Sequence, residues 1–231
     1  MTPKRMRDLC TFSFGAACAL AAGAATAAPP AGAFYVGVSG GASHFDQDYG
    51  SAVRDAYAGS VFTVTDAGMT DKSGSVWGVY GGWQFHPNFA VEAGWVDLGK
   101  ARAAYTLARQ GTFTRTAEYE VSGPRVTLVA SAPVGSAGFE VIGKAGVVFT
   151  TLEYRETGSD RGDPYSFTAG DERQTRFSAG LGGRYAFDPR FAVRIDWDRT
   201  FDVGQKFALN TTGNGRFESI DAFTASLEYR F

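Results

Sequence analysis

Cysteine is nearly missing from this chain of 231 residues: Cys10 and Cys18 are the only two, and both lie near the start. A disulfide framework and a cysteine-based metal site are therefore not expected. No apolar run of about 18 residues follows the first thirty, which excludes a membrane-spanning helix. Excess charge of one sign is missing too, with 22 basic residues against 24 acidic ones, so nothing calls for nucleic acid as a partner. Histidine is limited to His44 and His86. What the chain has in quantity is glycine, 30 residues, together with 19 Phe, 10 Tyr and 4 Trp. Abundant glycine beside abundant aromatics is the feature to explain.

The first 27 residues read as a secretory signal peptide. Lys4, Arg5 and Arg7 give a basic start, residues 11 to 25 are rich in alanine with Phe12, Phe14 and Leu20, and Ala25-Thr26-Ala27 has the small-residue cleavage pattern. Cleavage would remove both cysteines. Acylation at Cys18 is disfavoured, because Gly15 stands where a lipoprotein signal has a large aliphatic residue. Residues 28–231 then form one domain.

Along that domain, apolar and other residues alternate with period two, the pattern of strands whose two faces meet different surroundings. Trp77, Val79, Gly81, Trp83 and Phe85 share one face, and Gly78, Tyr80, Gly82 and Gln84 the other. The same alternation runs through 89–96, 139–149, 177–187, 191–197 and 223–231, and in a shorter form through 34–39. An eighth strand, near 117–132, is apolar at Tyr119 and Val121 but then at Val126, Leu128 and Ala130; a bulge at Gly123-Pro124 is expected to shift the register. Short connections at 86–88, 133–138 and 188–190 alternate with long ones near 45–74, 99–116, 154–174 and 200–217, expected as polar loops. Short turns at one end and long loops at the other predict an all-β fold, a transmembrane eight-stranded antiparallel up-and-down β-barrel. Residues 85–95 and 187–197 agree at 6 of 11 positions, and convergence on one hairpin recipe explains this better than duplication.

The less apolar face carries Glu92, Glu140, Lys144, Arg176, Arg184, Arg194, Asp196, Glu228 and Arg230, with Arg125 and Asp198 beside them. Large aromatics would overfill the interior of so narrow a barrel, whereas glycines and ion pairs fit it. The aromatic face is thus expected to meet lipid, with Phe34, Phe85, Phe89, Phe187, Phe191 and Phe231 at the short-turn end and Trp77, Trp95 and Trp197 nearer the loops. Arg184 and Arg194 are equidistant from Pro189 and should oppose each other across a hairpin. A carboxylate must bridge them. The candidates are Glu228, Asp196, Glu92 and Glu140, and an ion-paired lumen with little or no conductance follows.

The closing Ser226-Leu227-Glu228-Tyr229-Arg230-Phe231 resembles the C-terminal signal of bacterial outer-membrane proteins, and Phe85 to Leu98 resembles a strand of the OmpA-like eight-stranded barrel family. That resemblance implies a structural or surface role in a Gram-negative outer membrane, without catalysis or cofactors. It also implies contact with membrane lipid and lipopolysaccharide, and recognition of Leu227, Tyr229 and Phe231 by the barrel-assembly machinery. No OmpA-type periplasmic peptidoglycan-binding domain is expected.

Three readings compete with a purely structural one. Arg161-Gly162-Asp163 is the tripeptide of integrin ligands and would act as an adhesion site for a host surface ligand; chains of this composition contain it by chance about once in seven. A small-solute porin would need an open lumen. A lipid-A-modifying hydrolase would need His44 to meet a serine and a carboxylate, and Ser43-His44-Phe45-Asp46 has no nucleophile motif.

Overall fold

The computed structural model describes residues 32–135, 138–206, 214–216 and 219–231; the expected signal peptide lies outside them. In chain order the elements are β1 (Ala33–Asp46), α1 (Tyr49–Ala56), β2 (Thr63–Asp71), β3 (Ser73–His86), β4 (Phe89–Ala108), β5 (Thr112–Val134) and β6 (Phe139–Asp160). There follow β7 (Asp163–Ala186), β8 (Phe191–Phe201), β9 (Gly204–Lys206), β10 (Asn214–Arg216) and β11 (Ser219–Arg230). Eight of the strands close a ring in the order β4-β3-β1-β11-β8-β7-β6-β5, and the β4–β5 pairing completes it. All these pairings are antiparallel. The closed ring leaves no edge at membrane depth.

Alternation sets which face meets lipid. Phe34, Val38, Trp77, Trp83, Phe89, Leu128, Val141, Leu181, Ile195 and Leu227 are all exposed on the outer face. At the short-turn end their aromatics stack around the rim: Phe34 on Trp83, Phe85 on Phe89, and Phe187 on Phe191. The two repeated hairpins share this geometry, with ring centroids 6.4 Å and 6.3 Å apart. At the other end Trp77 Nε1 donates to Asp97 and Trp197 Nε1 to Asp221, so each indole meets a carboxylate where lipid gives way to water.

Above that upper belt the structure departs from expectation. The segments 99–116 and 154–174 are not loops: β4 and β5 run on to the turn at 109–111, and β6 and β7 to a two-residue turn at Arg161-Gly162. The segment 45–74 contains α1, whose first turn is capped by Asp48 accepting from Ser51 N at 3.1 Å, and β2, which pairs with the upper part of β4. Within 200–217, β8 continues to Phe201, and β9 pairs with β10.

These departures share one physical cause. Beyond the membrane water replaces lipid outside the wall, so the apolar side chains turn inward and the alternation inverts. Ala101, Ala103, Tyr105 and Leu107 on β4, and Ala117, Tyr119 and Val121 on β5, are buried inside. The bulge expected at Gly123-Pro124 is absent for this reason. Odd residues of β5 face inward on both sides of it, from Tyr119 to Val129, and only the apolar partner outside changes. The register shift lies instead in β4, between Asp97 and Gly99, where Gly99 has φ +87° and its N–H donates to Asp97 Oδ1 at 2.8 Å.

Candidate functional site

Within the membrane-spanning part the inward side chains form one chain of ion pairs. Arg184 and Arg194 oppose each other in the β7–β8 register. Glu228 of β11 bridges them, its Oε1 lying 3.0 Å from Arg194 and its Oε2 3.6 Å from Arg184. Arg184 also meets Glu140 at 3.1 Å. Arg194 is the hub: it reaches Glu92 at 2.6 Å and Asp196 at 2.6 Å as well as Glu228, and it is only 1% exposed. Asp196 passes the chain to Lys144 at 3.2 Å, Lys144 to Asp198 at 2.7 Å, and Asp198 to Arg125 at 3.6 Å. Four cations and five carboxylates are thus linked across the lumen. Buried charges of this kind are tolerated where each has partners of opposite sign.

Two tyrosines that the sequence pattern did not single out complete the network. Tyr35 donates to Glu92 at 2.8 Å and Tyr80 to Glu228 at 2.9 Å. Arg194 lies 4.8 Å over the Tyr80 ring. Each tyrosine faces a glycine on the adjacent strand, Tyr35 opposite Gly82 and Tyr80 opposite Gly37. A Cβ on either glycine would collide with the facing ring. Gly180 and Gly182 make the same room for Asp198 and Asp196. The signal available in the sequence was a tyrosine on the glycine-rich face. Gly82→Ala is expected to displace Tyr35 from Glu92 and reduce the folded fraction on refolding into detergent, read from the gel-mobility difference between folded and boiled protein; an unchanged fraction would mean that the ring has other space.

Above this ionic layer α1 packs into the barrel mouth. Its Tyr49 and Val53 are buried with Phe45, Tyr105, Tyr119, Tyr154 and Ile220 in one apolar cluster, and Ala56 is buried as well. Glu156 is the buried carboxylate there, accepting from Tyr105 at 3.3 Å and from Tyr154, and pairing with Arg115 Nε at 3.1 Å. Burial raises the Tyr49, Tyr105, Tyr119 and Tyr154 hydroxyl pKa values above their ordinary value, and at Tyr105 the Glu156 charge adds to the shift. A group whose pKa is raised on folding contributes stability below its unfolded value, near 10 for tyrosine, and loses it as pH rises beyond. The cap is therefore expected to open above about pH 10. Tyrosinate absorbance rising together with near-ultraviolet dichroism loss would report this, while a non-cooperative rise at unchanged dichroism would contradict it.

The remaining candidates are placed as follows. Arg176 turns to Gln174, with Nε 2.8 Å from its side-chain oxygen, and Arg230 sits half-buried at the short-turn rim; among the described residues neither joins an ion pair. The lumen chain thus omits two of the nine charges expected in it. Leu227, Tyr229 and Phe231 alternate on the outer face, and Tyr229 packs edge-on between Phe191 and Phe231. Arg161-Gly162-Asp163 forms the exposed tip of the β6–β7 hairpin, and the Arg161 guanidinium lies 5.5 Å over Phe113. Ser43 points inward and donates to Leu98 O at 2.6 Å, whereas His44 is exposed beside Asp221 in the register. Neighbouring residues of a strand point to opposite faces, so this serine and histidine do not converge. No group of three His, Cys, Asp or Glu with metal-binding geometry occurs among the described residues.

A closed ring of eight strands, apolar outside between two aromatic belts and ionic within, defines a transmembrane barrel of the outer-membrane class. The sequence model of the OmpA-like transmembrane domain matches residues 29–231, and the chain belongs to that family of bacterial outer-membrane barrels. A search of curated proteins finds no match. Among solved structures, similarity extends to Neisserial surface protein A, at 10% identity and a TM-score of 0.44, over 86% of this chain and 97% of that one. The N-terminal barrel domain of Pseudomonas aeruginosa OprF gives 9% identity and 0.43, over 87% and 98%. Ail, the attachment invasion locus protein of Yersinia pestis, gives 10% identity and 0.45, over 87% and 100%.

Proposed function

We propose that the protein is a structural barrel of the outer membrane whose lumen conducts little or nothing and whose outward chemistry resides in its extracellular hairpins. The observation that carries this is the unbroken chain of ion pairs from Glu140 through Arg184, Glu228, Arg194, Asp196, Lys144 and Asp198 to Arg125. Ion permeation along the lumen would have to break pairs whose members have few other partners in so narrow an interior. Lipid and lipopolysaccharide are the surroundings proposed for the outer face, with the barrel-assembly machinery reading its C-terminal strand. In the test, liposomes containing the refolded barrel are placed in arabinose and their swelling is followed. Swelling no faster than in empty liposomes agrees with the proposal, and swelling that scales with barrel content contradicts it.

A second reading, adhesion through Arg161-Gly162-Asp163, is favoured by the exposed position of that tripeptide at a hairpin tip. It requires that Asp163→Glu abolish binding of barrel-bearing cells to an integrin-coated surface; undiminished binding would refute it.

A further inference from the structure

The wall of the barrel is uneven in height, and among the described residues this leaves an unpaired sheet edge above the membrane. Strand β7 begins at Asp163, but its pairing with β8 starts only at Ser178. From Asp163 to Phe177 it is paired with β6 on one side, and among the described residues no strand pairs on the other. Among the described residues, the short strands β9 and β10 pair with each other and with no other strand. Phe177 stacks on Phe201 at the outer belt, so the unpaired stretch lies on the extracellular side.

Hairpin geometry fixes which backbone groups face this opening. Asp160 and Asp163 close a two-residue turn in which Arg161 and Gly162 both have positive φ, 56° and 106°. In such a turn the closing pair exchanges both hydrogen bonds, so residues 163, 165 and 167 direct N–H and C=O toward β6. Pro164, Ser166 and Thr168 direct theirs toward the opening. Pro164 fits that assignment, since a residue without an N–H is tolerated at an edge.

We propose that this edge of β7 accepts an extended peptide of another protein by strand addition, the peptide alternating apolar with acidic residues. The alternation follows from the two faces beside the edge. On the inner face Phe167 is 44% exposed next to Tyr165 and Tyr154 and offers contact to apolar side chains. On the outer face Arg155 and Arg173 are exposed and join no ion pair among the described residues; they outnumber the exposed Glu153 beside Arg155, a balance that favours acidic side chains there. A second copy in the same membrane is the wrong occupant. Strands tilted by about 35–45° lean in opposite directions across a two-fold axis along the membrane normal, and cross instead of forming a ladder. The proposal does not depend on whether the lumen conducts.

The probe is a fluorescent synthetic peptide of alternating valine and glutamate, about ten residues long, titrated by anisotropy against the full barrel in detergent micelles. The expected result is saturable binding, lost when alternate peptide amides are N-methylated. Affinity should fall about tenfold or more in Ser166→Pro/Thr168→Pro, which removes two edge donors, and severalfold in Arg173→Glu. Undiminished binding of the N-methylated peptide overturns the proposal without requiring any variant to fold, and so does full affinity in the double proline variant. Absence of binding to the wild type overturns it as well. If binding then appears on deletion of residues 207–213, the edge is covered by the chain's own segment.

Discussion

Arg194→Met is expected to destabilise the barrel by about 3–5 kcal/mol, the range for removing one partner of a buried ionic cluster. The side chain is 1% exposed and holds Glu92, Asp196 and Glu228 at 2.6, 2.6 and 3.0 Å. Methionine keeps most of the volume, so the loss is one of charge. The three carboxylates are not equally affected: Glu228 keeps Arg184 and Asp196 keeps Lys144, but among the described residues Glu92 keeps only the Tyr35 hydroxyl within hydrogen-bonding distance, with Arg125 acting from farther away. Glu92→Gln in the Arg194→Met background is therefore expected to recover part of the stability. Urea unfolding in detergent micelles measures both effects, and a loss under about 1 kcal/mol would mean that the hub contributes no more than an exposed pair.

Tyr119→Ala is the second large effect, acting on a different layer. Tyr119 is fully buried, with its ring 5.2 Å from Tyr154 and 6.4 Å from Tyr49. Truncating an aromatic at such a site costs about 3–5 kcal/mol through lost burial and the cavity left behind. The loss should fall on the extracellular cap. Trypsin is expected to cut at Arg109, Arg115 or Arg161 in the variant while the membrane-spanning strands remain folded. Because no ion pair among the described residues links the cap to the ionic layer, the Tyr119→Ala and Arg194→Met losses should add within about 0.5 kcal/mol. Strong coupling between them would show that the two layers act as one.

The membrane-spanning part was legible in the sequence because lipid outside and ion pairs inside impose a two-residue alternation that composition cannot hide. The opposition of Arg184 and Arg194 followed from hairpin arithmetic, and like-charge repulsion called for a bridging carboxylate among four candidates, of which Glu228 contacts both arginines. The partners of Lys144 did not follow, since they lie on a strand distant in sequence and depend on barrel closure. Nor did the extracellular layer. There most inward residues are apolar, Glu156 and Arg115 excepted, and the outward ones are often charged, so the rule that identified lipid-facing strands pointed to loops. At Tyr119 and Val121 the inversion looked like a slipped register. In α1 eight residues are too few for a helical period to stand out.

Glycine and aromatics, abundant together in the sequence, occupy complementary places in the structure. Aromatics form the two outer belts and the extracellular core, while Gly37, Gly82, Gly180 and Gly182 clear space for Tyr80, Tyr35, Asp198 and Asp196 inside the barrel.

Single-channel recording of the purified, refolded barrel in a planar bilayer tests the central claim most directly. A lumen crossed by linked ion pairs and covered by an apolar cap should give a flat baseline in wild type, with current steps appearing only when Arg194→Met and Tyr119→Ala are combined. Stable, ohmic open levels in the wild-type protein would contradict the account.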